Sequence, residues 1–384
     1  MSGGPGPGGT AAGGHTRRAV LTGGLGALGG AAIAYGLART NDPGATASGD
    51  GPGSMVVPAH GPTQAGIARP GTPQPYGLVT VGDLLQGRSI GFLTEMGELI
   101  AGLTSDPPTD LSPDGPTGLT VTVGLGPAVV AGRTSDEVGA QDLPEFAKDR
   151  TIAEQCRGGD LLLSVFGHDP SVLEPVLERL TQAVPGFRPR WQQRCFRGPG
   201  EGTVVRNPLG FHDGIQVPKT DDELADNVFL SGTLAGATIC VIRRLRLDST
   251  RFRKLPVGRR EEVIGRRLDG SPLSGGAPFS VVNTDLKSPD GQYLIPPRAH
   301  VRAAHPAFTG SHLMLRRGYA FDNGAADAGL LFMCFQRDLR TFVLTQRRLD
   351  TVDDLSDYVT PTASGTFLVL PGFDAEKSLG HGLL

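Results

Sequence analysis

The order strand, long excursion, strand, helix occurs twice along this chain, and that repetition limits the possible folds more than any other feature. GLTVTVGLG (118–126) and GDLLLSVFGHD (159–169) read as strands, and PSVLEPVLERLTQAV (170–184) places Val172, Leu173, Val176, Leu177 and Leu180 at helical spacing. GATICVIRRLRLD (236–248) and GLLFMCFQRDL (329–339) repeat the strand theme, and TFVLTQRRLDTVDDLSDYV (341–359) repeats the helix. Two similar units packed together follow: an α+β chain of duplicated ferredoxin-like domains, with antiparallel sheets and peripheral helices. A doubly wound parallel sheet is the alternative, disfavoured because no Gly-rich phosphate loop joins a strand to a helix.

The 57 glycines of the 384 residues concentrate before residue 75, where Gly, Pro, Ala, Thr and Ser dominate, so that stretch is expected to lie outside the core. Within it Arg17 and Arg18 precede an uncharged run, Ala19 to Ala38, in which six glycines weaken any bilayer span. This resembles a twin-arginine export signal, and Ala45-Thr46-Ala47 offers a small-residue cleavage site; an uncleaved, membrane-tethered signal is the alternative. The expected divisions are an export signal (1–47), a flexible linker (48–74), an N-terminal unit (75–215) and a C-terminal unit (216–384). The twin-arginine translocase is then a partner during export, and the destination is extracellular or the cell envelope.

A net charge of −3 without a clustered basic face argues against nucleic acid as a partner. Four cysteines (156, 195, 240, 334) form neither a CxxC pair nor the CxxCH signature of covalent haem attachment. Cys240 and Cys334 sit in apolar runs and read as buried thiols, with Cys156 and Cys195 nearer a surface.

Eight histidines narrow the search for chemistry, and His15, His60 and His381 fall in tail-like sequence. NPLGFHDGIQVP (207–218) sets His212 and Asp213 between Gly210 and Gly214; the glycines permit close approach to a flat ligand, and an Asx turn explains the same residues. PPRAHVRAAHPAFTGSHLMLRRGYAF (296–321) is dense in His and Arg, which are costly to bury without partners. A solvated basic face or an anionic cofactor accounts for it, with Arg298 and Arg302 as candidate partners. The spacing of His300 and His305 does not suit a zinc helix, and no GxSxG elbow supports a hydrolase.

Taken in order, GFHDG (210–214), AHVRAAHP (299–306), LRRGYAF (315–321) and GLLFMCFQRDL (329–339) resemble the dye-decolorizing haem peroxidases, in particular their exported, deferrochelatase-like branch. The resemblance spans residues 75–375 and implies one non-covalent haem b in the C-terminal unit, with hydrogen peroxide and an organic electron donor as substrates. It assigns His300 as proximal iron ligand, Asp213 as distal acid and base, and Arg316 as the charge that stabilises the ferryl oxygen. It also implies an acidic residue orienting His300, with Asp353 the better match and Asp354 the alternative. His212 departs from the family's usual Arg and adds a titrating group near the haem edge.

An unperturbed Asp titrates at about 3.9, so the distal assignment implies an acidic optimum. Trp191, Tyr293, Tyr319 and Tyr358 are candidate electron relays, each also explained by core packing. A haem-handling protein of iron acquisition, with incidental peroxidase activity, needs the same His300. A haem-free domain that merely keeps the fold is disfavoured by the joint retention of Asp213, His300 and Arg316. A homo-oligomer paired through a sheet edge is compatible with the chain.

Overall fold

The computed structural model describes residues 55–85, 88–134 and 141–383, together with 1, 3 and 4; the expected export signal, its cleavage site and residues 48–54 lie outside the described residues. The N-terminal half contributes β1 (Tyr76–Leu84), β2 (Thr120–Leu125), β3 (Leu161–Gly167) and β4 (Phe187–Phe196), paired antiparallel in the order β4-β1-β3-β2. A small sheet follows, made of β5 (Gly200–Glu201), β6 (Val204–Arg206) and β7 (His212–Asp213). The C-terminal half adds β8 (Thr238–Leu247), β9 (Leu315–Arg316), β10 (Tyr319–Asp322), β11 (Ala328–Gln336) and β12 (Val359–Val369).

β9 and β10 run end to end along one edge of β11, so the second order is β12-β8-β11 followed by that composite strand. In both halves the sequence is therefore fourth, first, third, second, the duplicated ferredoxin-like arrangement expected from the repeated pattern. The halves join where Leu368 and Val369 of β12 meet Leu125 and Gly124 of β2. They meet again where Ala320 of β10 pairs Phe196 of β4, which returns the sheet upon itself.

Strand alternation distributes the apolar residues between two layers. Leu161, Leu163 and Val165 of β3 pack under the helices Leu93–Ser105 and Leu173–Gln182, whereas Leu162 and Phe166 face the enclosed side of the sheet. β8 behaves alike: Cys240 and Ile242 join the enclosed core with Phe367, while Ile239 and Val241 lie under the helix Leu339–Val352. The same face of β8 continues as Arg243, Leu245 and Leu247, which line a cavity. The cavity thus lies between this face of the C-terminal sheet and the helix Leu339–Val352, whose Phe342, Thr345, Gln346 and Leu349 also line it.

Residues 55–74 are not the linker expected from their composition. Ile67 is fully buried, and the Gln64 amide donates to the carbonyls of Val123 (2.9 Å) and Leu370 (3.0 Å) while accepting from the Val123 N–H (2.8 Å). One buried amide with three backbone partners anchors a segment that small residues alone would leave loose. Cys195 is also buried, in β4, rather than near a surface, and all four cysteines are free thiols. Among the described residues no helix is long and apolar enough to cross a membrane.

Candidate active site

His300 opens the single-turn helix His300–Ala303, whose neighbours Ala299 and Ala303 are wholly buried and fix its direction. Asp353 closes the helix Leu339–Val352 in an extended conformation, so its carboxylate turns back across the chain. One carboxylate oxygen accepts from the Leu355 N–H (2.9 Å) and the other meets His300 Nδ1 at 2.8 Å. The carboxylate accepts, so Nδ1 carries a proton, and in the neutral ring Nε2 then presents its lone pair. Nε2 has no hydrogen-bond partner among the described residues, and about a third (36%) of the side chain is open.

Burial disfavours the His300 imidazolium, but Asp353 and, more weakly, Asp213 outweigh burial and the opposing Arg316, so its pKa lies above the ordinary histidine value. Asp213 and Arg316 line the same cavity as His300.

A second polar wall of the cavity is built by β7 and β9. Arg316 Nη2 donates to Asp213 Oδ1 (3.2 Å) and its Nη1 donates to the Gln216 carbonyl (3.2 Å). Burial alone would raise the Asp213 pKa; Arg316, the Gly214 N–H (2.6 Å) and His300 outweigh it, and the carboxyl sits below the usual aspartate value. Protein surrounds Asp213, yet 32% of its side-chain surface remains open to the cavity.

Between the two polar walls the lining is apolar, with Leu245, Leu247, Leu330, Phe332, Leu349 and Val359 among its residues. Arg243 also lines it but is already paired with buried Asp149. Arg266 is different: it is 4% exposed, its Nη1 donates to the carbonyls of Gly270 and Ser280 (both 3.0 Å), and among the described residues no carboxylate pairs with it.

Several expected residues lie elsewhere. Arg302 does not line the cavity; its guanidinium stacks between Tyr293 (4.1 Å) and Phe308 (4.7 Å) and donates to the Thr284 carbonyl, because its helical turn carries it to the side away from His300. Arg298 and Arg259 pair with Asp354, which leaves Asp353 alone on His300. Neither Gly210 nor Gly214 lines the cavity. Gly214 is needed because its φ is +77° and a Cβ would stand 2.1 Å from the Thr203 carbonyl in the turn that leads into β6. Tyr319 is a core residue whose hydroxyl donates to the Gln74 carbonyl (3.0 Å).

Comparison with known proteins assigns the architecture. Residues 79–197 match the family model "Dyp-type peroxidase, N-terminal" and residues 205–374 match "Dyp-type peroxidase, C-terminal". The chain belongs to the Dyp-type peroxidase family. A dye-decolorizing peroxidase of Thermobifida fusca is 34% identical over 333 residues, covering 79% of this chain and 77% of the relative. A deferrochelatase of Yersinia pestis is 31% identical over 340 residues, covering 80% and 77%. Ferric DtpA from Streptomyces lividans superposes with a TM-score of 0.80 at 29% identity, covering 86% of this chain and 97% of that one. A DyP-type peroxidase from Cellulomonas bogoriensis gives 0.78 at 32%, covering 87% and 99%.

As a Dyp-type peroxidase the chain is a haem enzyme that uses peroxide and an organic donor. The cavity suits that cofactor: a largely apolar lining, an imidazole, His300, oriented by a carboxylate and with no partner for its other nitrogen among the described residues, and a buried guanidinium, Arg266, with no counter-ion among them. Among the described residues no three His, Cys, Asp or Glu side chains converge on a metal position. His212, His305 and His312 also line the cavity, but among the described residues only His300 is held by a carboxylate, as a single protein ligand to a porphyrin-bound iron would be.

Proposed function

We propose that this Dyp-type peroxidase holds haem b non-covalently with His300 as the protein ligand to iron, and that Asp213 and Arg316 handle hydrogen peroxide on the opposite face. The observation that carries the reading is that two polar couples, His300 with Asp353 and Asp213 with Arg316, line one largely apolar cavity. When bound, the haem iron supplies the redox chemistry that cleaves the peroxide O–O bond.

The protein's own groups do the rest. Asp353 accepts the Nδ1 proton of His300 in a hydrogen bond, which orients the ring and raises the basicity of Nε2. Asp213, anionic, takes the first peroxide proton and returns it to the departing oxygen. Arg316, always charged, stabilises negative charge as it develops and holds Asp213 ionised. Arg266 supplies the cation for a haem propionate, the role the sequence suggested for Arg302.

In the test, peroxide is added to haem-loaded protein with a phenol present. The reading expects two phenols oxidised per peroxide, and Asp353→Asn is expected to cost about 10- to 100-fold in haem affinity or turnover. Iron release without phenol oxidation would instead favour the activity named for the deferrochelatase relatives. The Arg17-Arg18 segment supports export by the twin-arginine pathway to the cell envelope or beyond, which fractionation of expressing cells tests.

A further inference from the structure

A second cavity, of about 770 Å³, lies beyond His212, and among the described residues His212 alone lines both it and the haem slot. The two arginines of LRRGYAF divide between the cavities. Arg316 faces the slot, and the next residue, Arg317, points the opposite way along the extended backbone and lines the second cavity.

Arg317 is 4% exposed; its Nη2 donates to the Pro70 carbonyl (2.7 Å), and among the described residues its Nε has no partner and no carboxylate pairs with it. Burial and the nearby Arg197 lower its pKa to about 10, which still leaves it charged at neutral pH. A buried, unpaired cation is costly to keep, and an anion entering the cavity would compensate it. Lys219 adds a second positive charge to the lining, against which Glu201 on the rim is the opposing one.

The wall beside His212 is aromatic. Phe279 stands edge-to-face on the imidazole (4.9 Å, 75°) and is held at φ +66°, a left-handed conformation that a residue with a side chain rarely adopts. Its ring is 41% exposed, so one surface stays free for another ring. His212 Nδ1 is buried without a partner, and burial together with Arg206 lowers the imidazole's pKa, keeping it neutral.

We infer that this second cavity binds the organic electron donor, and that the donor is an aromatic carboxylate, its carboxylate on Arg317 and its ring against Phe279 and His212. The inference rests on the peroxidase reading for the word donor, though not for the anion site itself. Two bound hydroxybenzoates in succession each give one electron and one phenolic proton; with one hydrogen peroxide they yield two waters and two phenoxyl radicals. His212, bordering both cavities, is the group across which each electron passes.

The test is calorimetric titration of the haem-loaded full chain, without peroxide, using 4-hydroxybenzoate and its uncharged analogue 4-hydroxybenzamide. The carboxylate is expected to bind about 10-fold tighter or more, the size of one charge-assisted hydrogen bond. Arg317→Gln should remove that preference and raise KM for the benzoate without changing KM for peroxide. Lys219→Glu, on the cavity mouth, should weaken the benzoate several-fold and leave the amide unaltered, and it decides the matter should Arg317→Gln fail to fold. Equal affinity for the two ligands in the wild type, or a preference untouched by Lys219→Glu, would overturn the site. Charge-selective binding in a protein that does not turn over peroxide would uphold the anion site and overturn the peroxidase reading instead.

Discussion

Asp213→Asn is expected to lower kcat/KM for hydrogen peroxide by about 10²- to 10⁴-fold, the usual worth of a positioned general acid and base. The amide keeps the shape of the side chain and an oxygen for the Gly214 N–H, so the loss isolates proton transfer from folding. Stopped-flow mixing with peroxide measures it, and a variant within a few-fold of the wild type would remove Asp213 from the mechanism. The pH profile carries the same information. Because the folded carboxyl lies below the ordinary aspartate value, its ionised form persists beneath about pH 3.9 and its activity is lost only as pH falls through the lowered pKa. The linked stability has the same sign: it is present above the unfolded pKa and disappears through the folded one.

Arg316→Leu is the second large effect, a loss of about 10²- to 10³-fold in peroxide turnover with haem affinity little changed. Removing the guanidinium deletes the strongest influence holding Asp213 ionised, so the acid limb of the pH profile should move to higher pH. The double variant should lose far less than the product of the two single losses, since both residues serve one proton transfer. A profile that stays in place after Arg316→Leu would show that the 3.2 Å contact does not govern Asp213.

The parts of the fold legible in the sequence were those with one clear periodicity. GDLLLSVFGHD and PSVLEPVLERLTQAV became β3 and the helix Leu173–Gln182, because apolar runs and helical spacing had no competing reading. β4, FRPRWQQRCF, is too polar to announce itself, and β12 contains Pro361, tolerated where its register shifts against β8. The return of the sheet on itself rests on a single residue pair, Ala320 with Phe196, which no local pattern encodes.

His300, Asp213 and Arg316, singled out by motifs that keep their order along the chain, all line the one cavity on which the proposed function rests. The choice between Asp353 and Asp354 was not legible: adjacent carboxylates in sequence diverge in space, one to His300 and one to Arg298. Arg266 and Arg302 exchanged expectations for a similar reason. Proximity to His300 in sequence favoured Arg302, whereas burial without a counter-ion, a property of the folded chain, singles out Arg266. Gly214 was noticed for the right rarity but serves a contact with the turn before β6, not a ligand.

Haem titration of His300→Gly, followed by absorbance and repeated with added imidazole, tests the central claim most directly. The account expects the wild type to saturate at one haem per chain with a defined Soret band. The variant should lose affinity by more than the roughly 10- to 100-fold typical of an outer-shell partner, and free imidazole should restore the wild-type spectrum by filling the vacated ligand position. Haem bound by His300→Gly with wild-type affinity and spectrum, with no imidazole present, would contradict it.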